Sequence, residues 1–166
     1  VARHRDVEHI TMVEIDQAVV DMAKEYLPNH SAGAFDDQRL DLVIADGMDY
    51  VRDTEDRFDV IISDSTDPIG PGEVLFTDDF YAQCKRILNE GGVMATQNGV
   101  PFHQLDEVQN THRRMGAHFA DQSFYSAAVP TYYGGIMAFA WGTDDISLRQ
   151  LSTDTIHQRY RDAAIK

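Results

Sequence analysis

Short runs of apolar and β-branched residues alternate along this chain with longer segments whose apolar residues recur at helical spacing. The short runs predict strands at 10–15, 40–45, 58–63, 92–97, 124–129 and 136–141. The longer segments predict helices at 16–26, at 47–53, between Thr77 and Gly91, at 105–119, and in the tail from Ser147. This alternation is typical of one α/β domain with a mostly parallel sheet, which we expect to span 1–166.

Two details refine the predicted sheet. The run at 58–63 is almost continuously apolar, which indicates a strand covered on both faces. The last two strands are separated only by the short connection 130–135, which favours antiparallel pairing between them. We therefore expect a mostly parallel sheet with an antiparallel final strand.

Polar side chains stand where the first four predicted strands end. They are Glu14, Asp46, Asp64 and Gln97. Because ligands of open α/β sheets bind beyond the carboxyl ends of the strands, we predict a functional cleft at this edge.

The strongest chemical signal is the segment Asp64-Ser65-Thr66-Asp67-Pro68-Ile69-Gly70-Pro71-Gly72-Glu73. It places two carboxylates three residues apart, directly after a predicted buried strand, in a loop that two prolines stiffen. Such a loop at a sheet edge is where functional residues collect. The same composition is equally typical of a solvated turn, and the residues alone do not separate the two interpretations.

Other candidates have an ordinary explanation beside a functional one. Glu14 is suited to accept hydrogen bonds from ribose hydroxyls, whereas Asp16 is better placed to cap the following helix. Asp46 either holds a purine amino group or begins a turn. Tyr132 and Tyr133 either line a cleft or, as is commoner, cover an edge of the core.

Charge and composition narrow the function classes. The chain has 28 acidic and 14 Lys and Arg residues, for a net charge of −14. This argues against a nucleic-acid partner and is compatible with a cationic substrate, although acidic surfaces also favour solubility. Cys84 is the only cysteine and the histidines are scattered, so we expect neither an internal disulfide nor a metal site. With neither a long apolar run nor a signal-like start, we expect a cytoplasmic protein without a membrane partner.

Several segments together resemble the spermidine synthases, a family of polyamine aminopropyltransferases, in their bacterial form. The loop from Asp64 to Glu73 carries most of the resemblance, and the supporting segments are 11–16, 46–47, 76–77, 80–81, 84–86 and 130–137. The resemblance implies a Rossmann-like fold of the S-adenosylmethionine-dependent transferases. It also implies aminopropyl transfer from decarboxylated S-adenosylmethionine, a co-substrate, to putrescine, which gives spermidine and 5′-methylthioadenosine. No separate cofactor is implied.

The resemblance also implies roles for individual residues. Asp64 is the expected proton acceptor and Asp67 a ligand of the diamine, with Gln97 and Tyr132 near the amine channel. The residues expected to hold the nucleoside donor are Glu14 and Ile15 at the ribose, Asp46 and Gly47 at the adenine, and Pro71 along the pocket.

The chain departs from the family pattern at its start. It opens with Val1-Ala2-Arg3-His4-Arg5. In the family, a small β domain, a strand and a glycine-rich loop precede this segment. We therefore expect a fragment, incomplete at its N-terminus, of an enzyme that forms homodimers or tetramers, and expect the 166 residues alone to be weakly active or inactive. Three alternatives stay open: another amine acceptor such as agmatine, cadaverine or spermidine; putrescine N-methylation; and a non-catalytic binding module.

Overall fold

The computed structural model describes residues 1–132 and 134–163. The strands are β1 (Ile10–Glu14), β2 (Leu40–Ile44), β3 (Phe58–Ser63), β4 (Leu88–Gln97), β5 (Asp121–Ala128) and β6 (Ile136–Thr143). The α-helices are α1 (Gln17–Tyr26), α2 (Pro28–Ser31), α3 (Gly47–Asp53), α4 (Asp78–Ile87), α5 (Leu105–Met115) and α6 (Thr153–Asp162). Short 3₁₀ helices lie at Ala34–Asp36, Gly70–Phe76 and Leu148–Gln150.

The chain divides into two compact units, each with its own sheet. One comprises Val1–Tyr50 with Gln150–Lys166, and the other comprises Val51–Arg149, so that the division falls inside α3. The alternating α/β fold with both parallel and antiparallel pairs agrees with the expected fold class. The strands form two sheets where one was expected.

The first unit contains a parallel pair of strands. β1 pairs with β2 from Ile10 opposite Leu40 to Glu14 opposite Ile44. Asp16 follows β1 and caps α1, because its Oδ1 accepts a hydrogen bond from the Ala18 amide at 2.8 Å. This assigns the capping role to Asp16, as its position predicted.

Arg39 fixes the start of the chain to the first unit. Its guanidinium donates to the carbonyl oxygens of Ala2, His4 and Val7 at 2.6–2.9 Å. The same group donates to Asp37 at 2.7 Å, and this hydrogen bonding holds the pKa of Asp37 at about 2.

The second unit has the strand order β3-β4-β6-β5. β3 and β4 are parallel, whereas β6 is antiparallel to both β4 and β5. The antiparallel pairing of the last two strands is thus confirmed. The core beneath the sheet includes an almost fully buried face of α4, formed by Phe80, Tyr81, Cys84 and Ile87.

Several details differ from the sequence-based expectations. β5 begins at Asp121, three residues before the predicted strand, and the tail forms a 3₁₀ helix at Leu148–Gln150 before α6 begins at Thr153. β3 is not covered on both faces, because Val60 and Ile62, which point to the same face, are each 57% exposed. β4 begins at Leu88, before Gly91 and Gly92, because a shift in its pairing with β3 accommodates these glycines. Helix α5 ends at Met115, and the chain then turns into β5.

Within the described residues, the helices are all too short or too polar to cross a bilayer.

Candidate active site

The second unit places Asp64 and Gln97 at the same edge of its sheet. Ser63, the last residue of β3, is paired with Thr96 of the parallel strand β4. Asp64 and Gln97 therefore leave neighbouring strands at their carboxyl ends, as predicted. Asp64 is exposed and Gln97 is buried.

The loop after β3 is tied to the end of β4. Gln97 Nε2 donates a hydrogen bond to the Ser65 carbonyl oxygen at 2.5 Å. Within the loop, the Ile69 amide donates to the Asp67 carbonyl at 2.6 Å, which forms a tight turn around Pro68. The segment is thus a structured loop that presents Asp64 and Asp67 to solvent.

Gly72 allows a close approach where the following 3₁₀ helix passes this loop. A Cβ at position 72 would lie 2.5 Å from Thr66 Oγ1 and 3.3 Å from the Asp67 carbonyl oxygen. The first distance is shorter than a van der Waals contact. A side chain at position 72 would force Thr66 to move, so the conformation of the carboxylate loop is sensitive to this position. Pro71 is the exposed residue directly before this contact.

The β5–β6 connection lies at the same edge. Ala128 is paired with Ile136 at this end of the hairpin, and Phe139 of β6 is paired with Gln97. Tyr132, in the connection, is half-exposed, which favours a surface position over a core-covering one. Tyr133 lies outside the described residues.

Asn98, directly after Gln97, is fully buried and joins three elements. Its Oδ1 accepts a hydrogen bond from the Ala140 amide of β6 at 3.1 Å, and its Nδ2 donates to Thr111 Oγ1 of α5 at 2.8 Å. Thr111 is in turn bonded to the Tyr81 hydroxyl of α4 at 3.4 Å. This network fixes the end of β4, and with it Gln97, against α5 and α4.

A buried carboxylate near the loop was missed in the sequence. Glu107 of α5 is 8% exposed. Burial, and secondarily the negative charge of Asp67, raise the pKa of Glu107 to about 7. Its spacing in the sequence could have indicated burial, because Glu107, Thr111 and Met115 recur every four residues and form the buried face of α5.

The first unit carries the remaining candidates. Glu14 ends β1, and its Oε1 accepts a hydrogen bond from the Asp16 amide at 3.1 Å. Asp46 follows β2, and its Oδ1 accepts from the Met48 amide at 2.7 Å at the start of α3. Asp46 therefore takes part in capping α3, a role that the sequence analysis did not name beside a turn and a purine contact. Ile15 is 56% exposed, and Gly47 is the first residue of α3.

Metal and thiol chemistry gain no support from the described part of the chain. No three His, Cys, Asp or Glu residues there are grouped so that they could hold a metal ion. Cys84 is completely buried, and burial raises the pKa of its thiol to about 12. Asp64, Asp67, Gln97 and Tyr132 supply carboxylates, an amide and a phenol at the edge of the second unit.

Comparison with known proteins gives consistent results. The profile of the spermine/spermidine synthase domain matches residues 1–152. Polyamine aminopropyltransferase 1 of Pseudomonas aeruginosa is 65% identical over 165 residues, and the polyamine aminopropyltransferase of Salmonella arizonae is 58% identical over 166 residues. Each match covers at least 99% of this chain and 58% of the relative. The chain thus spans little more than half the length of these relatives.

Solved structures agree with the sequence relatives. A spermidine synthase in complex with the transition-state analogue AdoDATO has a TM-score of 0.87 at 34% identity. The spermidine synthase from Thermotoga maritima has a TM-score of 0.84 at 33% identity. Both cover 95% of this chain, and the chain covers 54% and 53% of theirs. With a family profile matching most of its length and close agreement in fold, the chain belongs to the spermine/spermidine synthase family.

Proposed function

We propose that the complete protein containing this chain is a spermidine synthase. It transfers the aminopropyl group of decarboxylated S-adenosylmethionine to putrescine and releases spermidine and 5′-methylthioadenosine. The observation that carries the proposal is the hydrogen bond from Gln97 to Ser65, which holds the loop of Asp64 and Asp67 at the carboxyl edge of β3 and β4. The names of the relatives support the reaction class.

The chemistry requires a proton acceptor. A primary amine has a pKa of roughly 10, so its lone pair is mostly protonated at neutral pH. In the proposed mechanism, Asp64 takes a proton from the attacking nitrogen. Asp67, three residues further along the same exposed loop, binds the diamine.

The transfer itself is a single displacement. The amine nitrogen forms a bond to the methylene carbon beside the sulfonium, the carbon–sulfur bond breaks, and its electron pair stays on sulfur. Asp64 takes the proton that blocks the lone pair as the attack proceeds, and the positive charge moves from sulfur to the nitrogen of the new secondary amine. Neither a metal nor a covalent enzyme intermediate is required, so alignment of the three reacting atoms is the main task of the protein.

The donor nucleoside needs partners for its ribose and for its adenine. We propose that Glu14 and Ile15 contact the ribose, that Asp46 and Gly47 contact the adenine end, and that Pro71 lines the nucleoside pocket. A strand-terminal acid is suited to ribose hydroxyls, because a carboxylate accepts two hydrogen bonds.

The net charge of −14 supports cationic substrates, because an acidic surface attracts both the diamine and the sulfonium. We further propose that the complete protein acts in the cytoplasm as a homodimer or tetramer.

The decisive experiment replaces Asp64 by asparagine in the complete natural polypeptide that contains this sequence. We expect kcat for spermidine formation to fall about 10²- to 10⁴-fold, the usual contribution of a general base. Binding of 5′-methylthioadenosine, measured by calorimetry, should change little. Asp59→Asn is the matched control: this exposed carboxylate lies on β3, and an asparagine there still accepts the hydrogen bond from Asn89.

Two results would contradict the proposal. If Asp64→Asn forms spermidine at an undiminished rate, Asp64 is not the proton acceptor. If mass spectrometry finds a methylated diamine in place of spermidine, the reaction is methyl transfer and not aminopropyl transfer.

A further inference from the structure

The first turn of α5 contains a carboxylate with an unused hydrogen-bond acceptor. Glu107 is more than nine-tenths buried, and its Oε2 accepts a hydrogen bond from Gln104 Nε2 at 3.3 Å. Its Oε1 is buried and has no hydrogen-bond partner. Leaving a buried carboxylate oxygen without a donor is unfavourable, so a donor group at this position would stabilise Glu107.

Hydrogen bonds connect Glu107 to the loop that carries Asp64 and Asp67. Gln104, which donates to Glu107, also accepts from the Val100 amide at 2.7 Å. Val100 follows shortly after Gln97, whose side chain holds the Ser65 carbonyl. Ser65 Oγ and Glu107 Oε1 are the two buried side-chain oxygens that lack a partner among the described residues, and both belong to this one region.

The electrostatics of the region favour a cation. Asp67 lies close enough for its negative charge to raise the pKa of Glu107, in addition to the larger effect of burial. Two carboxylates that repel each other are both stabilised by a cation placed between them. An ammonium group supplies the charge and also the hydrogen-bond donor that Glu107 Oε1 lacks.

We propose that Glu107 binds the ammonium group at the far end of the diamine, together with Asp67. This inference rests on the proposed function, since it presumes an amine acceptor whose near nitrogen reacts beside Asp64. Glu107 then distinguishes a diamine from a monoamine, because only a diamine fills its free acceptor position. Asp64 serves the reacting nitrogen, and Glu107 serves the nitrogen that stays charged.

The test compares two forms of the complete natural polypeptide, each with two amine acceptors. Wild type and Glu107→Gln are assayed with putrescine and with butylamine, a monoamine of the same carbon number. Glutamine has the shape of a protonated glutamate, so it fits the buried position. Where butylamine turnover is too slow to measure, its inhibition constant against putrescine takes the place of its kcat/KM.

We expect Glu107→Gln to lower kcat/KM for putrescine about tenfold, the order of one charge-assisted hydrogen bond. The value for butylamine should change less than about twofold, since that acceptor has no second ammonium. Asp106→Asn, an exposed neighbour in the same helical turn, is the matched control and should leave both values unchanged.

Equal losses for both acceptors would show that Glu107 is merely structural, and no loss for either would show that it does not bind the diamine. Each result overturns the inference while spermidine synthesis by the wild type keeps the proposed function intact. A wild-type polypeptide that transfers no aminopropyl group overturns both.

Discussion

The buried amide of Asn98 offers a quantitative test of how the candidate site is held in place. Replacing Asn98 by alanine removes one acceptor of the Ala140 amide and the donor to Thr111. Both partners are themselves buried, Ala140 at 0% and Thr111 at 2% exposure. Solvent therefore cannot take over the lost hydrogen bonds without local opening of the structure.

The expected cost follows from what each partner loses. The Ala140 amide faces Thr96 in the β4–β6 ladder and loses only its additional bond to Asn98, a net hydrogen bond of about 0.5–1.5 kcal/mol. Thr111 keeps its hydrogen bond with Tyr81, so it loses only a net hydrogen bond of about 0.5–1.5 kcal/mol. We therefore expect Asn98→Ala to lower the free energy of unfolding by about 1–3 kcal/mol.

The assay is urea unfolding of the complete natural polypeptide, followed by circular dichroism. Asn110→Ala is the matched control, because Asn110 lies on the exposed side of α5 and bonds only to the nearby Arg113 among the described contacts. We expect the control to stay within about 0.5 kcal/mol of wild type. A loss below about 1 kcal/mol in Asn98→Ala, relative to that control, would refute the argument that this network fixes the end of β4.

Two further predictions concern a close approach and a buried thiol. Gly72→Ala should lower the free energy of unfolding by about 1–3 kcal/mol and reduce kcat/KM for the amine, because the new Cβ meets Thr66 Oγ1. Adding Thr66→Ala should restore most of the stability and most of kcat/KM. A double variant no better than Gly72→Ala alone would count against the clash. Cys84 should resist labelling by a thiol reagent at pH 8 until the protein unfolds, since burial raises its pKa to about 12; rapid labelling of the folded protein, followed by absorbance, would contradict this.

The elements that local signals specify were predicted with little error. The helix Gly47–Asp53 and the strand Phe58–Ser63 have the expected bounds, and Thr77 caps α4 through its side chain as expected. Each of these depends on neighbours within a few residues: a turn residue, an apolar run or a capping oxygen. The positions of Asp64 and Gln97 at strand ends followed from the same information.

Interactions between distant segments decided the rest. Nothing local in the sequence indicates that β4 continues back through Gly91 to Leu88, because that extension depends on pairing with β3. Exposure of Val60 and Ile62 likewise depends on which elements pack against their face of β3, and no local pattern specifies that.

The sequence by itself determined the alternating α/β pattern, the acidic charge and the residues at the strand ends, because periodicity, composition and capping are properties of short segments. Only the tertiary structure decided that Gln97 donates a hydrogen bond to the Asp64 loop and that Glu107 is buried with one carboxylate oxygen lacking a hydrogen-bond partner. The reason is physical: burial and hydrogen bonding between residues far apart in the chain depend on packing of whole elements, which no short segment encodes.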